Sequence, residues 1–272
     1  MTQTASASFF YRLLRIFWSI YFVLTIGIIG FVMGYLVTFP LFCLGLLTKF
    51  FPPLSQKINL AAEYVQCFSI RFLLKIQPWL NCDSNFQNIY GFFDQYRTRK
   101  VMFIANHRSN LDTFLLISLI PGLRGLAKKT LFYNIFFAPI MVVAGFIPIE
   151  KGDINGFVNG LKFMQNKLLK KNNSVLVFPE TTRCEKNFLS INKFSKAVFE
   201  TAIQSSAVVV PIFIGGSDQV MGRGDLLLNP YNKITLKILN PIVTTQTDSA
   251  VTLSKQVWTH LNDELMEHTS CS

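Results

Sequence analysis

Charged residues are missing from positions 16–48, and this uncharged stretch outlasts the roughly 20 apolar residues that a helix needs to cross a bilayer. Membrane contact is the expectation for it. Past residue 82 the pattern changes: short apolar runs at 89–93, 101–105, 142–149, 174–178, 207–214 and 234–239 predict strands. Between them 111–120, 156–169 and 193–205 carry apolar positions at helical spacing. That alternation predicts an α/β domain with a largely parallel sheet flanked by helices. A last stripe of Leu253, Val257, Leu261 and Leu265 predicts an amphipathic helix that serves packing. The expected division is an N-terminal membrane-associated helical segment over 1–80 and an α/β domain over 81–272.

Arg12 and Arg15 precede the uncharged stretch, Lys49 and Lys57 follow it, and the first acidic residue is Glu63. Positive charge therefore flanks both ends and sets no orientation. Gly27, Gly30, Gly34 and Pro40 permit a kinked or hairpin path that returns to the cytoplasmic face, which is the path expected here over a straight crossing. A cleaved signal peptide would have a shorter apolar core, of about 7–15 residues, so the segment is expected to stay. Gly30 and Gly34 also match the small-residue spacing of packed membrane helices. A second uncharged stretch, 131–149, is interrupted by Asn134, Pro139, Gly145 and Pro148. It predicts a short apolar helix, open to lipid contact, and then a buried strand at 142–149.

Composition agrees with membrane association. Of the 272 residues 50% are hydrophobic and 15% are charged, against about 25% charged in an ordinary soluble domain. The formal charge of +11 predicts a surface that attracts anions: phospholipid head groups, phosphorylated substrates, an acidic carrier protein or nucleic acid. No basic cluster interleaved with exposed aromatics stands outside the apolar runs, which places nucleic acid last. The five cysteines (Cys43, Cys67, Cys82, Cys184, Cys271) form no Cys-x-x-Cys pair near a histidine, so a reduced compartment and no metal site are expected.

Two segments carry candidate chemistry. In NHRSNLD, residues 106–112, His107 follows a predicted strand, in the strand-to-helix turn where open α/β sheets bind ligands. Ser109 and Asp112 fit a capping box, the bland role for that aspartate. A turn could also bring the His107 imidazole to the Asp112 carboxylate, which would fix the ring tautomer and leave the other nitrogen as a general base. The spacing alone arises by chance easily. In VFPETTRC, residues 177–184, a strand ends before Pro179, and Glu180 and Arg183 occupy a loop at the same carboxyl edge. Arginine there suits bidentate phosphate contact, and a surface Glu–Arg pair is the plain alternative.

Taken together, in this order and behind a lipid-seeking N-terminus, the two segments resemble the glycerolipid acyltransferase family that contains the 1-acylglycerol-3-phosphate (lysophosphatidic acid) acyltransferases. The His-x-x-x-x-Asp block is complete from Asn106 to Asp112. The second block resembles Gly145 to Lys151, with Glu150-Lys151 where Asp-Arg is usual. The third resembles Phe178 to Arg183, with Thr181 in place of glycine. The fourth resembles Val209-Val210-Pro211-Ile212. The stretch AKKTLF resembles the family's lysine-rich segment, with Thr130 where glutamate is common, and Ala197 stands where the family usually has glycine. The likeness spans roughly 89–216.

The resemblance implies acyl transfer from a thioester, acyl-CoA or acyl carrier protein, to the free hydroxyl of a lysophospholipid at the cytoplasmic membrane surface, with no other cofactor. His107 would be the base and Asp112 its orienting partner. Glu180 and Arg183 would position the acceptor, Arg183 as phosphate ligand, with Lys128, Lys129 and Lys151 as helpers. Threonine at 181 restricts positive φ and close approach, so it bears on acceptor choice. No Gly-x-Ser-x-Gly elbow occurs, which counts against a serine hydrolase. Lysophosphatidate is the first acceptor expected. Lysophosphatidylethanolamine or lysophosphatidylglycerol is its rival, and a silent lipid-binding protein is the alternative from another class.

Overall fold

The structure is a computed structural model that describes residues 2–84, 100–150, 152–168, 174–186 and 188–270. The N-terminal run forms α1 (Thr2–Phe31), a π-helical stretch (Val32–Thr38) and α2 (Phe39–Leu47) in succession. Pro40 sits in the first turn of α2, and the wider π turns before it absorb the clash that proline makes inside a regular helix. The chain therefore does not double back at Pro40 or at the glycines. It reverses at Phe51, and α3 (Pro52–Lys75) returns antiparallel: Ser55 Oγ donates to Gly45 O at 2.7 Å, and Tyr21 Oη donates to Ile76 O at 3.0 Å.

The glycines have another use. A Cβ on Gly34 would stand 3.3 Å from Pro139, and one on Gly30 3.5 Å from the Phe136 carbonyl. The small-residue face thus receives the second uncharged stretch of the same chain. That stretch holds α5 (Ala138–Val143), and its strand is confined to Ile147–Ile149 instead of the expected 142–149. Gly145, at φ 66°, turns the backbone so that Phe146 N donates to Met141 O.

Eight strands form one sheet among the described residues: β1 (Asn81–Ser84), β2 (Val101–Ala105), β3 (Arg124–Lys128), β4 (Ile147–Ile149), β5 (Ser174–Val177), β6 (Val208–Gly215), β7 (Lys233–Ile238) and β8 (Ile242–Val243). Their order is β1-β7-β6-β2-β5-β3-β4, with β8 beside β6. The pairs β2–β5, β2–β6, β3–β5 and β3–β4 are parallel, while β7 and β8 run antiparallel to β6. The largely parallel sheet is as expected. Strands β1, β3 and β8 are additions, and the expected strand at 89–93 lies outside the described residues. β3 escapes an apolar-run reading because it begins on Arg124 and ends on Lys128.

Alternation along the strands builds two cores. Phe103, Val210 and Ile212 face a layer made by α3 and α4 (Leu111–Leu119). Met102, Val209 and Phe213 face α6 (Ile154–Phe163), α7 (Lys196–Gln204) and α9 (Ala250–Ser270), whose predicted leucine stripe is buried there. The first core continues through residue 80 into the N-terminal segment: Phe22 and Trp79 pack in it edge to face, with ring centroids 5.2 Å apart. Away from that contact the helices stay apolar and open, as at Phe10 and at Phe50, which is 90% exposed. Phe9–Phe50 is long and apolar enough to cross a membrane.

Candidate active site

At the carboxyl end of β2, Asn106 turns its side-chain amide onto β6. Its Nδ2 donates to Ile214 O at 2.7 Å and its Oδ1 accepts from Ile214 N at 2.8 Å. The chain leaves the sheet at His107. There Nδ1 lies 2.9 Å from Asp112 Oδ2, and the same oxygen accepts from Arg108 N and Ser109 N, both at 2.7 Å. Ser109 Oγ accepts from Leu111 N at 3.1 Å. The helix N-cap falls on Asn110, one residue past the expected Ser109, and only the carboxylate half of the expected box forms; it coexists with the imidazole contact on one aspartate, which is fully buried. The His107 ring is 20% exposed and stacks on Phe178 at 4.1 Å between centroids.

One strand away, β5 leads into the Phe178–Arg183 turn, closed by Thr181 N donating to Phe178 O at 3.1 Å. Thr181 takes φ 59°, the left-handed region, which is costly for a β-branched residue. Its neighbour Glu180 is only 4% exposed and points inward. Oε1 accepts from His107 N at 2.8 Å, and Oε2 accepts from Asn192 N at 3.1 Å and from Cys184 Sγ at 2.8 Å. Burial pushes the Glu180 pKa up, against these donors. Burial, with Glu180 beside it, pushes the Cys184 thiol up to about 12. Cys184 N in turn donates to His107 O at 2.9 Å. The second segment thus holds the His107 backbone from both sides.

Arg183 points the other way. It is half-buried and makes no hydrogen bond or ion pair among the described residues. It lines a cavity of about 290 Å³ together with Thr182, Glu185, Phe188, Asn192 and Arg223. Burial draws its pKa down, Asp112 opposes this, and Arg223 adds to it. Thr181, exposed, is not on that wall; Thr182 is. Lys128 closes β3, two strands from β2 and so roughly 10 Å along the same edge. Lys129 is exposed and pairs with Glu150 at 2.9 Å, away from that wall. Lys151 lies outside the described residues.

Sequence reasoning missed the supporting pair Arg108 and Asp218. Arg108 is buried and bidentate on Asp218, Nε to Oδ1 at 3.0 Å and Nη2 to Oδ2 at 2.8 Å. Burial works against the Arg108 charge, and Asp218 overrides it and raises the pKa. Asp218 is the second residue of α8 (Ser217–Met221), which follows Gly216 at φ 75°, where a Cβ would stand 2.1 Å from Lys233 O. Each stands three residues past the end of its strand, β2 or β6, and nothing in the sequence says that those strands are neighbours.

A mostly parallel sheet with an imidazole–carboxylate pair at its carboxyl edge defines an α/β domain of the kind that binds ligands at strand ends. Residues 87–215, a little under half of the chain, match the family model described as Acyltransferase. Among curated relatives, the 1-acyl-sn-glycerol-3-phosphate acyltransferase of Cocos nucifera is 29% identical over 151 residues, 55% of this chain and 48% of that protein. Its namesake from Limnanthes douglasii is 28% identical over 190 residues, 63% and 66% respectively. The namesake from Saccharomyces cerevisiae is 30% identical over 142 residues, 52% and 46%. The chain thus spans about half to just under two thirds of the length of these relatives. The solved structure of the 1-acyl-sn-glycerophosphate (LPA) acyltransferase PlsC from Thermotoga maritima shares the fold, with a TM-score of 0.68 at 19% identity over 94% of this chain and 98% of that one.

Proposed function

We propose that this protein transfers a fatty acyl group from a thioester donor, acyl-CoA or acyl carrier protein, to the free hydroxyl of lysophosphatidate, giving phosphatidate. The observation that carries the reading is the 2.9 Å His107–Asp112 contact on a turn joined to an arginine-lined cavity. A carboxylate on Nδ1 keeps the proton there and leaves Nε2 as the basic nitrogen. Nε2 takes the acceptor hydroxyl proton as that oxygen attacks the thioester carbonyl. The C–S bond breaks, and the imidazolium returns the proton to the departing thiolate. A positioned base of this kind supplies about 10²–10⁴ in rate. The names of the relatives support the acceptor, and Arg183 supplies a guanidinium for its phosphate.

The long apolar helix Phe9–Phe50, mostly exposed, embeds in the bilayer in this reading and sets the site at the cytoplasmic surface, where the acceptor resides. The test is a matrix of acyl-CoA and acyl carrier protein thioesters against lysophosphatidate, lysophosphatidylethanolamine and monoacylglycerol, with purified protein in detergent. Transfer to lysophosphatidate above the others is expected. No transfer to it overturns the reaction, and equal turnover of lysophosphatidylethanolamine overturns the acceptor.

A further inference from the structure

We infer that Arg223 is a second ligand for the acceptor's phosphomonoester, placed opposite Arg183 by a turn that the N-terminal helix holds. This rests on the lysophosphatidate reading and deepens it. Arg223 and Arg183 line the same cavity, and neither has a hydrogen bond or ion pair among the described residues. Two guanidinium groups facing one space repel each other, and Arg223 helps draw the Arg183 pKa down. A dianion between them relieves that repulsion and can accept a fork from each. The carboxylate on the wall, Glu185, is exposed at the surface, as Arg223 is, while Arg183 is half-buried.

The turn that displays Arg223 is built to stay in place. Gly222 N donates to Asp225 Oδ2 at 3.0 Å, Asp225 N to Gly222 O at 3.3 Å, and Gly224 supplies φ 88° between them. Lys186, from the Arg183 side of the cavity, reaches the same Asp225 oxygen at 2.7 Å. From α1, Arg15 Nε donates to Leu228 O at 3.1 Å and its Nη2 to Leu227 O at 3.3 Å, while Ser19 Oγ accepts from Leu228 N at 2.9 Å. A phosphomonoester carries close to two charges at neutral pH and a phosphodiester one, so a paired site favours the former.

The same chemistry occurs on the 3′-phosphate of coenzyme A, and the test separates the two sources. Equilibrium binding of short-chain lysophosphatidate and of the matching monoacylglycerol is measured on the full chain in detergent, with acceptor and donor KM in parallel. Arg223→Ala is expected to lower the lysophosphatidate-to-monoacylglycerol affinity ratio about tenfold, the loss of one charge-assisted contact. Arg223→Lys, which keeps the charge without the fork, should recover part of it. An unchanged ratio overturns the inference, as does a rise in donor KM in place of acceptor KM. A protein that binds lysophosphatidate through Arg223 yet transfers no acyl group refutes the reaction and leaves the phosphate site standing. Acylation of lysophosphatidate at an unaltered KM in Arg223→Ala does the reverse.

Discussion

Asp112 and Glu180 are both buried carboxylates at the carboxyl edge of the sheet, one in the first turn of the helix after β2 and the other on the turn after the adjacent β5, and both hold His107. They hold different parts of it. Asp112 meets the ring nitrogen, while Glu180 meets the backbone N–H and spends its other oxygen on Asn192 N and a thiol. One carboxylate sets the chemistry of the imidazole and the other sets its address. A carboxylate's role at this edge follows from which atoms it faces, since charge and burial are nearly the same for both.

The largest expected effect separates ring from backbone. His107→Ala should cut kcat by about 10²–10⁴ with the melting temperature nearly unchanged, and Asp112→Asn should approach it by favouring the wrong tautomer. Single-turnover assays with parallel melts check both, and full activity in either breaks the assignment of the ring to catalysis. Arg183→Ala comes next: acceptor KM should rise about tenfold or more with little change in kcat, as loss of a charge-assisted phosphate contact requires.

Glu180→Gln should lower kcat by a smaller factor, about tenfold, because the amide cannot accept from every donor that the carboxylate satisfies. It also carries a pH signature. Burial raises the folded pKa of Glu180, so the stability linked to its protonation is complete below the unfolded value and is lost as pH rises through the folded one. Glutamine does not titrate. Relative to Glu180→Gln, the native chain should therefore lose stability as pH climbs from about 4.5 towards neutrality, read by denaturant melts across that range. The smallest effect is at Thr181. Thr181→Gly should stabilise by up to about 1 kcal/mol, the relief of a left-handed β-branched residue less the added chain entropy, whereas Thr181→Ala should not.

Much of the sheet was legible because β2, β5 and β6 are apolar runs and β7 alternates buried Ile234 and Leu236 with more open positions, and the His107–Asp112 pair was legible because it follows a strand end and is joined by the Phe178–Arg183 segment later in the chain. β3 was not, since its pairing with β4 and β5 comes from neighbours and its own ends are basic. The inward turn of Glu180 left no trace because its partners are mostly backbone N–H groups, which every residue but proline possesses. Arg108 and Asp218 are 110 positions apart, so only the fold joins them. The glycines of the first helix suggested a reversal, yet they are occupied in packing against Pro139 and the Phe136 carbonyl, and the reversal falls at Phe51.

The flat contact between Phe178 and the His107 ring, with 21° between their planes, has a kinetic consequence. With one face covered and Nδ1 tied to Asp112, the ring has no room to turn over between the two halves of the proposed reaction. The nitrogen that receives the acceptor's proton must be the one that surrenders it to the thiolate. Because the acceptor attacks the thioester directly in the proposed reaction, donor and acceptor must be present together on the same open side of the ring, which calls for a ternary complex and intersecting double-reciprocal plots in place of the parallel lines of a ping-pong enzyme.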